Sequence, residues 1–215
     1  DRSVSRGLGD VYKRQGLKCK ASVYVTVQDP NSEDRNFPSA FESLVAAEPF
    51  DITTTYEKQT QELESGASYI LYSGNKILYH ANGAATTDQV DAGANNGSTM
   101  KPNSGYAVTR QLWRLEQLED GSYTIRSREA DDAYLALNDQ VTAQGSKIPV
   151  GKTPKAVTIE SNGNGGYYIY HEVGGQKLYL AQSGTYQYYV SATPCVIYLY
   201  QEVNTPGYYM SVSYT

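Results

Sequence analysis

The chain has 215 residues and a formal net charge of −5, with 21 Tyr against 3 Phe, 19 Gly and two Cys. An acidic surface repels phosphate backbones, which argues against nucleic acid as a partner, and no apolar run approaches the ~18 residues of a membrane-spanning helix. Tyr suits a half-exposed pleated surface because its ring packs while its hydroxyl stays wet, so the balance favours a secreted or surface all-β protein.

In chain order, residues 1–15 come first. Asp10-Val11-Tyr12-Lys13-Arg14-Gln15 resembles the translation of a transposon-end adapter from sequencing libraries, so this segment is expected to be non-native. Removing its four basic and two acidic residues takes the net charge from −5 to −7. The natural chain is then expected to extend upstream of this fragment. Residues 16–64 read as the end of a preceding domain. Val23, Val25 and Val27 alternate with Ser22, Tyr24 and Thr26, which predicts a strand over 20–28. Ser39-Ala40-Phe41-Glu42 fits a capping box, with Phe41, Leu44 and Val45 on one face, predicting a short helix over 39–47. Residues 49–64 read as an extended linker or a strand with a Thr53-Thr54-Thr55-Tyr56 core.

From Gly66 a pattern recurs. Gly66-Ala67-Ser68-Tyr69 is echoed by Gly121-Ser122-Tyr123 and Gly166-Tyr167, with the tyrosines 54 and 44 residues apart. Each is followed by a second apolar pair: Ile77-Leu78, Tyr134-Leu135 and Tyr179-Leu180. Trp113-Arg114-Leu115-Glu116, Val157-Thr158-Ile159-Glu160 and Tyr198-Leu199-Tyr200-Gln201 correspond in the same way, which puts Trp113 in the core. Asp120-Gly121 and Asn164-Gly165 predict tight hairpin turns with positive φ. The loop Ala81–Tyr106, poor in large apolar residues, is expected to add little core and to be either mobile or the place where function is grafted. Asp88, Asp91, Asn95 and Asn96 match no calcium-loop spacing and read as solvated. Residues 207–215 alternate Tyr208, Met210, Val212 and Tyr214 on one face, a strand that either repeats the Gly-x-Tyr unit or starts a following domain.

These three hairpin-rich units, with Gln111-x-Trp113 and the Tyr-Leu second strand, resemble the ricin-B-like and fascin-like β-trefoil families, closer to the fascin-like form. The resemblance implies a β-trefoil over 65–206, flanked by an N-terminal strand-plus-short-helix extension and a C-terminal strand. The surrounding sequence is similar to fragments of multidomain bacterial surface proteins. In sugar-binding trefoil repeats an Asp soon after the second-strand Leu accepts hydrogen bonds from sugar hydroxyls. Here that position holds Tyr79, Ala136 or Ala181, and only one unit keeps Gln-x-Trp, so the family's sugar-binding residues do not carry over.

Catalytic chemistry finds little support. His80 and His171 read as strand-end surface residues, with no nucleophile paired to an oriented base. Cys19 and Cys195 read as isolated thiols, Cys195 packing as a small hydrophobe, and no metal or cofactor is expected. Asn162-Gly163-Asn164-Gly165-Gly166 lacks the Lys and helix of a phosphate loop and reads as a turn. Asp131 and Asp132 could pair for glycoside hydrolysis, but adjacent residues diverge, and they read as a solvated turn that at most helps hold a ligand. The main binding candidates are Tyr186, Gln187, Tyr188 and Tyr189, because exposed aromatic rings stack on sugar faces while amides set orientation. The alternative is that alternate members of this set, with Tyr167, Tyr168, Tyr170 and Tyr179, face the core while the rest cover the barrel surface. The expectation is a non-catalytic extracellular module binding carbohydrate or another surface ligand. The alternative is a structural spacer of a multidomain adhesion protein, with no ligand of its own.

Overall fold

Short alternating runs separated by Gly-rich turns build a strand-rich chain, and over the described residues the protein is all-β. A computed structural model describes residues 52–81, 87–185 and 187–206. The strand expected at 20–28, the helix at 39–47 and the strand at 207–215 lie outside the described residues. The strands are β1 (Ile52–Lys58), β2 (Ser68–Ser73), β3 (Lys76–His80), β4 (Thr87–Asp91), β5 (Trp113–Gln117), β6 (Tyr123–Ser127) and β7 (Tyr134–Leu135). They continue as β8 (Val150–Gly151), β9 (Thr158–Ser161), β10 (Tyr167–Val173), β11 (Gln176–Ala181), β12 (Tyr189–Ser191) and β13 (Tyr198–Pro206), and Val108–Arg110 forms a single 3-10 turn. Among the described residues no helix is long and apolar enough to cross a membrane.

One sheet runs β1-β13-β2-β5-β6-β7-β8, with β3 and β4 branching from β2, and the other runs β12-β11-β10-β9. Two isolated antiparallel bridges join them. Tyr123 and Val157 exchange backbone hydrogen bonds of 2.8 and 2.9 Å, and Tyr167 and Ile197 exchange two of 2.8 Å. The register places Tyr69 opposite Gln201 on one side and Trp113 on the other. Tyr123 lies between Gln117 and Val157, and Tyr167 between Ser161 and Ile197. The partner of Tyr167 is therefore Ile197, one residue before the Tyr198 that the sequence pattern matched to Trp113.

Residues 55–203 form one unit. A second comprises 1–54 and 204–215, in which the Thr54 hydroxyl donates to Asn204 Oδ1 at 2.8 Å. The edge at Thr55 falls upstream of residue 65 because β1 brings core with it: Tyr56 is buried, and Gln59 N donates to Leu199 O at 2.8 Å.

The main core gathers Tyr69, Leu71, Trp113, Leu115, Ile125 and Leu180 with their neighbours, all nearly solvent-free. Trp113 is fully buried and its indole N–H donates to Leu78 O at 2.9 Å, so the ring packs and its one polar atom is satisfied. A second cluster of Tyr56, Ile70, Ile77, Val90, Met100 and Leu112 lies on the other face of β2 and β3. Val90 and Met100 come from the stretch expected to contribute little core; both are at most 5 % exposed. The stretch thus adds little core, as its composition implies, but those two side chains sit in the second cluster.

The tightest hairpins fall at Gly74-Asn75 and Gly174-Gly175. All four residues have positive φ (54°, 67°, 57° and 81°), the geometry that matches strand twist across a two-residue turn. At Asp120-Gly121 only the glycine has positive φ (83°), and the Asp120 carboxylate instead accepts from Ser122 N at 2.9 Å.

Candidate functional site

A surface cleft of about 550 Å³ opens beside the β3–β4 hairpin, lined by Tyr79, Gln89, Val90, Tyr106, Thr185 and Gln187 among others. Tyr79 comes from β3, directly after the core residue Leu78, so its side chain is thrown to the opposite face of the strand. Tyr106 is 47 % exposed, and its ring meets that of Tyr79 edge-to-face, centroids 5.2 Å apart at 65°. Gln89 joins the two walls: Gln182 Nε2 donates to its Oε1 at 2.6 Å, and its own Nε2 reaches Thr185 O at 3.5 Å.

Gln111 sets the position of Tyr106. The amide is fully buried; its Nε2 donates to Asn103 O at 2.9 Å and to Tyr106 O at 3.2 Å, and its Oε1 accepts from Asn103 N at 2.8 Å. Asn103 Nδ2 in turn donates to Asp91 O at 2.9 Å, tying this loop to the end of β4. Behind Tyr79, Arg110 pairs with Glu129 at 3.0 Å. The Tyr79 phenol and then Glu129 hold the guanidinium above its ordinary range, while the Thr109 hydroxyl and Arg110 hold the Glu129 carboxyl below its own. The cleft therefore combines an aromatic edge-to-face pair, neutral amides and a fixed cation behind one ring.

The predicted ligand residues separate. Tyr186 lies outside the described residues. Gln187 lines the cleft and is half-buried. Tyr188 is no ligand contact and follows the alternative in which alternate tyrosines face the core: it is 1 % exposed, and its hydroxyl donates to Lys76 O at 2.9 Å, with Leu71 O at 3.4 Å. Burial pushes that phenol's pKa well above the ordinary value. Tyr189 is half-buried in β12, opposite Ala181. Asp131 and Asp132 are exposed and each meets a different cation, Arg126 at 3.3 Å and Lys152 at 3.1 Å. Neither lines this cleft.

Of the two histidines, His171 departs from the expected strand-end surface position, whereas His80 does end β3. His171 is 8 % exposed, in the middle of β10, with its Nε2 3.0 Å from Asn138 O. His80 is half-buried, its Nδ1 2.9 Å from the Ser127 hydroxyl and its ring 6.3 Å from that of Trp113. Cys195 is a free, half-buried thiol packed against the main core. Among the described residues no group of three or more His, Cys, Asp or Glu is placed to hold a metal ion.

Sequence reasoning missed Tyr79, Gln89 and Tyr106 as a set. Two signals pointed toward them: Tyr79 stands where sugar-binding repeats carry Asp, and Tyr106 ends the loop marked as a possible functional graft. Compared with known proteins, the chain matches no family model and no curated protein.

Proposed function

We propose that the chain is a non-catalytic binding module, of β-trefoil architecture and working outside the cell, that takes carbohydrate in the Tyr79–Tyr106 cleft. The trefoil reading is supported by the equivalent registers of Tyr69, Tyr123 and Tyr167, and by the two bridges that join β6 to the start of β9 and β10 to the start of β13. The binding reading rests on one observation above the others. An exposed aromatic ring, Tyr106, is buttressed by Tyr79 and by a fully buried amide, with Gln89 and Gln187 beside it. Ring faces stack on the C–H faces of sugars, amides donate to and accept from hydroxyls, and a preorganised ring loses little entropy on binding.

The test is a glycan array probed with the whole chain, followed by titration of any hit. Tyr106→Ala is expected to weaken binding about tenfold, the effect of losing one stacking ring. Asp131→Asn, away from the cleft, is expected to leave it unchanged. The spacer alternative draws on the burial of Tyr188 and on the alanines at 136 and 181, where a sugar site would carry Asp. An array with no hits, or hits indifferent to Tyr106, would favour that spacer over the carbohydrate reading.

A further inference from the structure

Tyr69, Tyr123 and Tyr167 hold the same register on their strands, yet their hydroxyls have different partners. The chain between β1 and β2 uses two of them. Tyr69 accepts from Glu64 N at 2.8 Å and donates to Glu64 O at 3.1 Å, and Tyr167 donates to Gln61 O at 2.6 Å. Gln201 Nε2 adds a bond to the Glu64 carboxylate at 2.7 Å. The segment is thus pinned on both sides of Glu62. The third hydroxyl, on Tyr123, has no hydrogen-bond partner among the described residues and stays open to solvent, although the residue as a whole is only 8 % exposed.

Tyr123 lines a second cleft of about 550 Å³, which shares no lining residue with the first. Its walls include the Tyr123 and Tyr167 rings, Leu63 and Ile159. Its polar groups include the Glu62 carboxylate and the Gln117 amide, and neither side chain has a partner among the described residues. Burial, and then the charge of Glu62, raise the Tyr123 phenol pKa, so the group stays protonated and neutral at working pH. The cleft therefore offers three acceptors of different kinds: a carboxylate, a phenol oxygen and an amide oxygen.

We infer that this cleft binds a primary ammonium on an apolar stem, such as a lysine side chain or a free alkylamine. An ammonium carries three N–H donors, matching the three acceptors, and its charge answers the unpaired carboxylate. The rings attract a cation through their faces, and Leu63 and Ile159 take the methylene stem. A neutral sugar would leave Glu62 uncompensated, and an anion would be repelled by it.

The experiment is an NMR titration of the full chain with n-butylammonium, following the backbone amides of Gln117, Tyr123 and Ser161. Saturable shifts at these amides, absent with n-butanol, are expected. Glu62→Gln is expected to weaken binding at least tenfold, and Tyr123→Phe about threefold. Glu62 is exposed, so its variant keeps the test decisive if Tyr123→Phe does not fold. Nα-acetyl-lysinamide and putrescine, run in parallel, separate a protein lysine from a free diamine; saturable binding of either supports the inference. It is overturned if n-butanol binds as well as the amine, if Glu62→Gln binds unchanged, or if no saturable shift occurs. Because the two clefts share no residue, these outcomes leave the carbohydrate result unaffected.

Discussion

Gln111 illustrates how one side chain can shape a binding surface without facing solvent. Its amide satisfies the backbone of a loop that has no strand partner over residues 102–107, joining Asn103 N, Asn103 O and Tyr106 O in one buried node. Replacing it with Ala leaves those groups without their donor or acceptor in a site too enclosed for bulk water. Each such loss costs on the order of 1–3 kcal/mol. Gln111→Ala is therefore expected to destabilise the fold by about 2 kcal/mol in urea unfolding and to raise the exchange rate of the Asn103 amide. A variant with unchanged stability and unchanged Asn103 protection would remove the buttressing role. The residue was legible as half of a Gln-x-Trp pair. Its target was not, because the 103–107 loop carries no periodic pattern that predicts where its carbonyls point.

At the scale of elements, the stretch between β4 and β5 shows what sequence periodicity reads and what it cannot. The starts of β2, β6 and β10 were visible as Gly-x-Tyr echoes, since alternation encodes which face of a strand is buried. The second core cluster was not visible, because Val90, Met100 and Tyr56 are brought together only by the path of the loop. Which of the tyrosines before β12 turn inward was not readable for a related reason: Tyr188 immediately precedes β12, and a run of tyrosines without apolar partners does not declare its inward face. Within the loop, Gly93 N donates to Lys101 O at 3.0 Å, and Lys101 N donates to Ala94 O at 2.8 Å, closing a small ring of chain. A Cβ at Gly93 would stand 2.6 Å from Lys101 O and 2.7 Å from Pro102 O, both backbone atoms that cannot rotate away. Gly93→Ala is expected to cost about 1–3 kcal/mol and, on the carbohydrate-binding proposal, to weaken that binding by displacing Tyr106. Gly97→Ala, where added volume meets nothing within 4 Å but φ is 89°, separates backbone strain from crowding. A melting temperature for Gly93→Ala equal to that of the parent would refute the crowding argument.

Across the whole molecule, the position equivalent in register to Ser127 on β6 is His171 on β10, and its buried imidazole is expected to make folding stability depend on pH. Leu115 faces Ile125 as Ile159 faces Ile169, which carries Ser127 and His171 to the same place two residues further along. A small hydroxyl there is indifferent to pH, whereas an imidazole is not. Burial is the largest influence on His171 and pushes its pKa below the ordinary 6.5; the bond to Asn138 O opposes this, Lys155 adds to it, and Asp139 opposes it. The charged groups facing the ring largely answer one another, since Lys155 holds the Asp139 carboxylate at 2.6 Å while that carboxylate lies 3.7 Å from His171 Nδ1. The unfolded chain therefore takes up a proton at higher pH than the folded one. Stability from this group is full above pH 6.5 and is lost as pH falls from there through the lower folded pKa. The carboxylate of Asp139 is held below its ordinary range by the Lys155 ammonium, so it stays charged beside the ring as the pH falls through 6.5. Urea unfolding at pH 7.5 and pH 5.5 is thus expected to show a larger loss of stability for the parent than for His171→Gln, which removes the titrating group but keeps a donor for Asn138 O. An imidazole titration by NMR gives an independent reading. A His171 midpoint above 6.5, or equal pH slopes in the two proteins, would mean that the buried ring is compensated by its neighbours and that the fold's acid sensitivity arises elsewhere.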